Sequence, residues 1–209
     1  GIPLELKPLL GLPMFEAGIV LEGGSIEVNG AGTVLTTEQC LLNKNRNPNL
    51  SRQELENYLK EYLNVAHVLW LREGIAGDDT DGHIDDIARF VNANTVVCAF
   101  EDDRSDENYE ILKDNYERLK TFEFEVIKLP MPGFIGDRGA RLPASYANFY
   151  IGNGAVVVPV FAGDNDRRAL GILQECFPNR RVVGVHAAAM VQGLGTIHCC
   201  SQQEPGRTP

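Results

Sequence analysis

Apolar residues in this chain switch between two spacings, and the switch recurs. "SIEV" (25–28) and "TVLT" (33–36) read as short strands flanking "NGAG", a turn suited to residues at positive φ. Ser51 and Glu54 then form a capping box, and Leu55, Tyr58, Leu59, Tyr62 and Leu63 share one face at helical spacing. "HVLWL" (67–71) follows as a strand and completes a ββαβ unit.

The same order returns twice. "IARFV" (87–91) and "TVVCAF" (95–100) flank "NAN", Tyr109, Leu112, Tyr116 and Leu119 line a helix, and "FEVIKL" (124–129) closes the unit. "ANFYI" (147–151) and "AVVVPV" (155–160) flank "GNG", residues 164–177 carry Leu170, Leu173 and Phe177 on a helical face, and "RVVGV" (181–185) is the closing strand. The turns are about sixty residues apart, which suggests large modules in a ring or array. "GTIHCC" (195–200) reads as the first strand of a fourth, unfinished unit, so part of the ring is expected to be missing and its strand edges to need cover. The competing reading is an ordinary α+β domain in which three such stretches occur by coincidence.

Composition narrows the function. The chain has 209 residues, enough for one substantial core, and 29 acidic against 19 basic residues give a formal net charge of -10. That charge disfavours nucleic acid and anionic membranes as partners and favours cationic ligands. No stretch has the roughly 20 apolar residues of a membrane span, and no signal peptide is evident. Five cysteines, two of them adjacent, make a poor disulfide framework and fit a reducing compartment, so the expected location is the cytoplasm.

Chemistry-bearing residues cluster at equivalent points of the units. Glu22, then His83 with Asp85, then Asn148, then His198 with Cys199 each stand at or just before a first strand. If the first strands are innermost, these side chains converge on one pocket. His83 and Asp85, two apart in an extended segment, would point to the same side. A thiol, an imidazole and several carboxylates suit nucleophilic attack on a cationic carbon, because carboxylates pair with the N–H groups of a guanidinium but would repel an oxyanion. A metal site built from His83, Asp85, His198 and Cys199 uses the same residue types without a metal-ligand spacing. His67 and His186 read as surface or core residues, and Cys40, Cys98 and Cys176 as small buried hydrophobes. Cys200 is ambiguous, since strand alternation would turn it away from the side Cys199 faces.

Taken together, "VLEGGSIEVNG", "TTEQCLLNKNRNP", "GDDTDGHIDDIARFV", "RLPASYANFYI" and "GTIHCCSQQEP" closely resemble the agmatine deiminases and Porphyromonas-type peptidylarginine deiminases of the guanidino-modifying pentein superfamily. The resemblance implies an α/β propeller of five ββαβ modules, of which this chain holds about three and the start of another, as one catalytic domain over 1–209 lacking the family's N-terminal part. It implies hydrolysis of agmatine to N-carbamoylputrescine and ammonia, with no metal or other cofactor, through a covalent amidino-cysteine on Cys199. His83 would be the general acid and base, Glu22 and Asp85 would bind the guanidinium nitrogens, and Asn148 and Asp79 would line the pocket, Asp79 nearer the distal amine.

Three departures from the family pattern stand out. "GLGTIHC" replaces a glycine-rich "GGGNIHC", Glu27 stands where a histidine is common, and an N-terminal portion bearing another guanidinium-binding aspartate is absent. A homo-oligomer, or a partner chain supplying the missing modules, is therefore expected, with poor catalysis by the 209 residues alone. The alternatives are a peptidylarginine deiminase, or a truncated, non-catalytic binding or assembly fragment.

Overall fold

The computed structural model describes residues 2–11, 13–137 and 139–204. A first helix, α1 (Ile2–Leu10), leads to the first sheet, of β1 (Glu27–Val28), β2 (Thr33–Thr37) and β3 (His67–Leu71), in the order β1-β2-β3. β1 and β2 form the expected hairpin, with Gly30 at φ 70° and Gly32 at φ 93° in the turn. After a short helix, α2 (Glu38–Leu41), the helix α3 (Arg52–Leu63) carries the chain across to β3, which pairs with β2 in parallel. Ser51 accepts from the Glu54 amide while the Glu54 carboxylate accepts from Ser51 N, so both halves of the capping box form. Such a cap contributes about 1 kcal/mol. Leu55 and Leu59 are the buried residues of α3, whereas Tyr62 lies exposed.

The second sheet is β4 (Ala88–Asn92), β5 (Thr95–Phe100) and β6 (Glu125–Pro130), with α4 (Tyr109–Leu119) as the crossover. A small hairpin, β7 (Gly136–Asp137) and β8 (Ala140–Arg141), precedes the third sheet, β9 (Tyr150–Ile151), β10 (Ala155–Val160) and β11 (Arg181–His186), bridged by α5 (Asp166–Cys176). Each of the three sheets has an antiparallel and then a parallel pair in the same order. The repeat read from apolar spacing is thus present as a mixed α/β architecture.

Each unit also packs on the one before it. α4 lies against β5 and against β3 of the first sheet, and α5 lies against β11 and β6 of the second. The core around Ile87, Phe90, Val96 and Leu112 therefore includes Leu35 and Leu71, and the core around Tyr146, Phe149 and Leu173 includes Val97 and Leu129. Burying each such aliphatic side chain contributes roughly 1.5–3 kcal/mol.

The structure corrects three local expectations. Residues 195–200 form a turn, not the first strand of a fourth unit: Cys200 N donates to Thr196 O (3.1 Å) and Ser201 N to His198 O (2.9 Å). Residues 84–86 form a 3-10 turn, so His83 and Asp85 are not held together by strand alternation. The first strands of the outer units are only two residues long, because Ser25 belongs to a 3-10 turn with its hydroxyl on Glu22 O, and Asn148 N turns back to Ser145 O. Side chains and turns take the polar groups that a longer ladder would need.

Candidate active site

The segment that delivers His83 is held from several elements. Gln39 of α2 accepts from Gly74 N, Asn108 from Ala76 N, and Asn115 of α4 accepts from Arg72 N while donating to Glu73 O. The Asp78 carboxylate then folds the loop on itself. Its Oδ1 accepts from Thr80 N and Oγ1, and its Oδ2 from Gly82 N (2.9 Å) and His83 N (3.1 Å). Asp79, the expected pocket residue, is exposed, and its neighbour Asp78 has the organising role. Only the density of acidic and glycine residues in "GDDTDGH" signalled this loop.

His83, 8% exposed, and Asp85, 0% exposed, still meet through the 3-10 turn, with His83 Nδ1 4.0 Å from Asp85 Oδ1. Gly24 closes on both: a Cβ there would lie 2.5 Å from His83 Nδ1 and 2.9 Å from Asp85 Oδ2. This close approach, rather than a special φ, requires glycine in "EGG".

Asn148 builds the opposite wall. Its Oδ1 accepts from Thr196 Oγ1 (2.8 Å), His198 N (3.0 Å) and Cys199 N (3.3 Å), and its Nδ2 donates to Cys199 Sγ (3.1 Å). His198 Nδ1 donates to Asp85 Oδ2 (2.7 Å), and Cys199 Sγ lies 3.6 Å from the same oxygen. His83, Asp85, Asn148, His198 and Cys199 are thus brought together from the loop before β4, the segment before β9 and the final turn. Cys199 as a residue is exposed, yet its sulfur is turned onto buried Asn148 and Asp85. Cys200, also exposed, has no such partners among the described residues.

Burial, followed by the Asp85 and Asp86 carboxylates, pushes the Cys199 thiol well up, while the Asn148 donor pulls it back. The neighbouring Asp86, not foreseen from the sequence, is itself raised well above the usual carboxylate range by burial and by Asp85. A thiol beside two carboxylates is a poor nucleophile until a positive charge joins them. Two buried atoms of the site, His83 Nε2 and Asp85 Oδ1, have no hydrogen-bond partner among the described residues. Buried polar atoms are paired in the great majority of cases, so these two leave the site open to a further partner; Asn108 Nδ2, in the scaffold behind the loop, is a third such atom among the described residues.

Glu22 is placed differently from expectation. Arg46 Nε binds both its oxygens (2.8 and 3.1 Å), and Arg46 Nη1 binds Asp81 (2.9 Å), so an internal guanidinium already sits on this carboxylate. Among the described residues, two groups have metal-ligating atoms within 4.8 Å of one another, Glu22 with Cys40 and His83, and Asp85 with Asp86 and Cys199. The first fits a cation poorly, since Arg46 occupies Glu22 and burial pushes the Cys40 thiol up to about 12. The second sets a thiol beside two carboxylates, with none of the ligand spacings of a metal motif. Cys98 is buried and Cys176 half-buried, while His67 and His186 are exposed on their strands, in line with their unremarkable sequence settings. A groove of about 670 Å³ lies away from this cluster, between β4–β6 and the end of α5 near Phe177 and Arg180.

The fold and the cluster define a mixed α/β protein with a cysteine, histidine and carboxylate site suited to a cationic ligand. A sequence model of the Porphyromonas-type peptidyl-arginine deiminase family matches residues 2–205, and the chain belongs to that family. It is 43% identical over 222 residues to an agmatine deiminase of Medicago truncatula, covering 93% of this chain and 59% of that protein. Two solved structures superpose with a TM-score of 0.93. A C. jejuni agmatine deiminase with substrate bound, a cysteine-to-serine variant, is 35% identical, with 96% of this chain and 61% of that one covered. The agmatine deiminase of Enterococcus faecalis is 38% identical, with 98% and 63% covered. The chain therefore spans less than two thirds of the length of these relatives.

Proposed function

We propose that this chain carries the nucleophile and proton carrier of an agmatine deiminase. The observation that supports this best is the Cys199 sulfur lying 3.1 Å from Asn148 Nδ2 and 3.6 Å from Asp85 Oδ2, beside two orphaned buried atoms. A guanidinium N–H would satisfy Asp85 Oδ1, and its positive charge would offset the two carboxylates and bring the thiol down into its nucleophilic form. Thiolate attack on the guanidinium carbon gives a tetrahedral adduct. His83 Nε2 passes a proton to the departing nitrogen, ammonia leaves, and an amidino thioether remains on Cys199. Water, giving its proton to His83, then adds to the same carbon; the C–S bond breaks, and N-carbamoylputrescine and the thiol form. Every atom comes from agmatine, water and side chains, so the balance needs no metal or other cofactor.

Asp85, fixed by His198, is the primary guanidinium carboxylate in this reading. Glu22 is the second, its oxygens keeping lone pairs beyond those used by Arg46. Asn148 acts on the sulfur, and Asp79, exposed at the loop, remains available to a distal amine. The three units are read as part of a five-module propeller whose remaining arc, from a further segment or a second copy, would wall the pocket and cover the exposed Leu9 and Phe15. The compartment expected for five free cysteines is the cytoplasm.

Ammonia release from agmatine, free arginine and an arginine peptide tests the assignment, with Cys199→Ala as the blank. Agmatine is expected to be fastest and the blank silent. Release that survives Cys199→Ala would end the proposal, and preference for the peptide would move it to the peptidylarginine branch.

A further inference from the structure

Arg89 is an anomaly of the fold. It sits in the middle of "IARFV", between the buried apolar residues Ala88, Phe90 and Val91 of β4, and is 3% exposed. A buried unpaired charge would cost several kcal/mol, so its partners must matter. They come from the other two units. Its Nε donates to Glu27 Oε2 of β1 (2.7 Å), and its Nη1 donates to Phe149 O (2.7 Å) and Ala147 O (3.2 Å). The guanidinium also lies 4.8 Å from the centre of the Phe149 ring. Glu27 is fixed in turn, since its Oε1 accepts from Phe90 N (2.9 Å).

The two carbonyls that Arg89 holds are those flanking Asn148. From that residue run the donor to Cys199 Sγ and the acceptors for Thr196 Oγ1, His198 N and Cys199 N. We infer that Arg89, anchored by Glu27, is a positioning residue for the nucleophile: it clamps the peptide on either side of Asn148 and so fixes the amide that holds Cys199. Arg89 touches neither Cys199 nor His83 in this network, and its hydrogen bonds reach the site through the peptide around Asn148. A lysine cannot reproduce the arrangement, because one ammonium on a flexible stem does not serve a carboxylate and two carbonyls in the fixed directions of a guanidinium. Glu27 is thus an anchor between units rather than part of the pocket.

The inference builds on Cys199 as the reactive thiol, and its test is made without substrate, so it stands or falls separately from the deiminase reading. Iodoacetamide alkylation of Cys199 is followed across pH by peptide mapping, with hydrogen exchange at the His198 and Cys199 amides, in the 209-residue chain and three variants. Arg89→Lys and Glu27→Gln are expected to move the alkylation midpoint up by about one pH unit, the loss of one good donor to a thiolate, and to speed exchange at both amides. Arg141→Lys breaks a half-buried pair elsewhere, Arg141 with Asp106 at 2.9 Å, and serves as a control for general loosening. It should lower Tm and leave both readouts at their parent values. If Arg89→Lys does not fold, Glu27→Gln, which keeps the side-chain volume, decides. The inference is overturned if the Glu27 and Arg89 variants keep parent alkylation and exchange while losing stability, or if Arg141→Lys shifts Cys199 as much as they do.

Discussion

Asn148→Asp separates architecture from chemistry in this site. The substitution keeps the size of the side chain and the Oδ1 acceptor used by Thr196 Oγ1, His198 N and Cys199 N. What changes is the atom 3.1 Å from Cys199 Sγ, which turns from an N–H donor into a carboxylate oxygen. Loss of a donor to a charged acceptor is worth roughly 1.5–3 kcal/mol, or about one to two pH units on the thiol. A new negative charge at that distance adds a repulsion of about 5 kcal/mol at an effective dielectric of 20, part of which protonation of the new group would relieve. The thiolate fraction near neutral pH should therefore fall by at least tenfold. Rates of Cys199 alkylation and of ammonia release from agmatine, taken at several pH values with thermal unfolding on the same samples, provide the assay. Both rates should drop tenfold or more in samples whose thermal unfolding shows them still folded, with Tm lowered by the new buried charge. An unchanged or faster alkylation in a folded variant would refute the idea that Asn148 tunes the sulfur.

Gly24→Ala would press a methyl group onto His83 Nδ1 and Asp85 Oδ2, so ammonia release is expected to fall more than tenfold, with a stability loss of about 1–3 kcal/mol in urea titration; a fully active variant would contradict the packing argument. The Asp86 carboxyl holds its proton more tightly folded than unfolded, so its stabilising contribution is complete below the ordinary carboxylate value of about 4 and is lost as pH rises through the higher folded value. Asp86→Asn should therefore be more stable than the parent at neutral pH, with the difference shrinking towards acid, as measured by urea midpoints from acid to neutral. Agmatine turnover in the presence of a chelator should match that in its absence, whereas a loss restored by zinc would favour a metal hydrolase at the same residues.

The elements of the repeat were legible because they depend on local chemistry. "HVLWL", "TVVCAF" and "AVVVPV" coincide with β3, β5 and β10, and the capping box at Ser51 and Glu54 is present as read. The site's residue types were legible too, but not the way they are held. Asn148 reaches the amides of His198 and Cys199 across some fifty positions, Arg89 reaches Glu27 across more than sixty, and Arg46 pairs with the Glu22 carboxylate that the resemblance assigned to the substrate. Such side-chain capture of backbone groups replaces strand hydrogen bonds, which is why "GTIHCC" is a turn and why His83 and Asp85 meet through a 3-10 turn. One signal was available: a charged residue amid an apolar, buried strand, as Arg89 is, requires a partner that local spacing cannot supply.

The account rests most directly on a covalent bond between Cys199 and the guanidine carbon. Quenching the parent in acid during turnover of agmatine and mapping peptides by mass spectrometry measures it, in the 209-residue chain and in a chain extended to the length of its relatives. The intermediate is expected to appear as agmatine less ammonia on the peptide carrying Cys199, absent from Cys199→Ala and, because His83 also protonates the departing nitrogen, strongly reduced in His83→Ala. Ammonia release by the parent with no adduct under any quench, or an adduct on Cys200 instead, would contradict it.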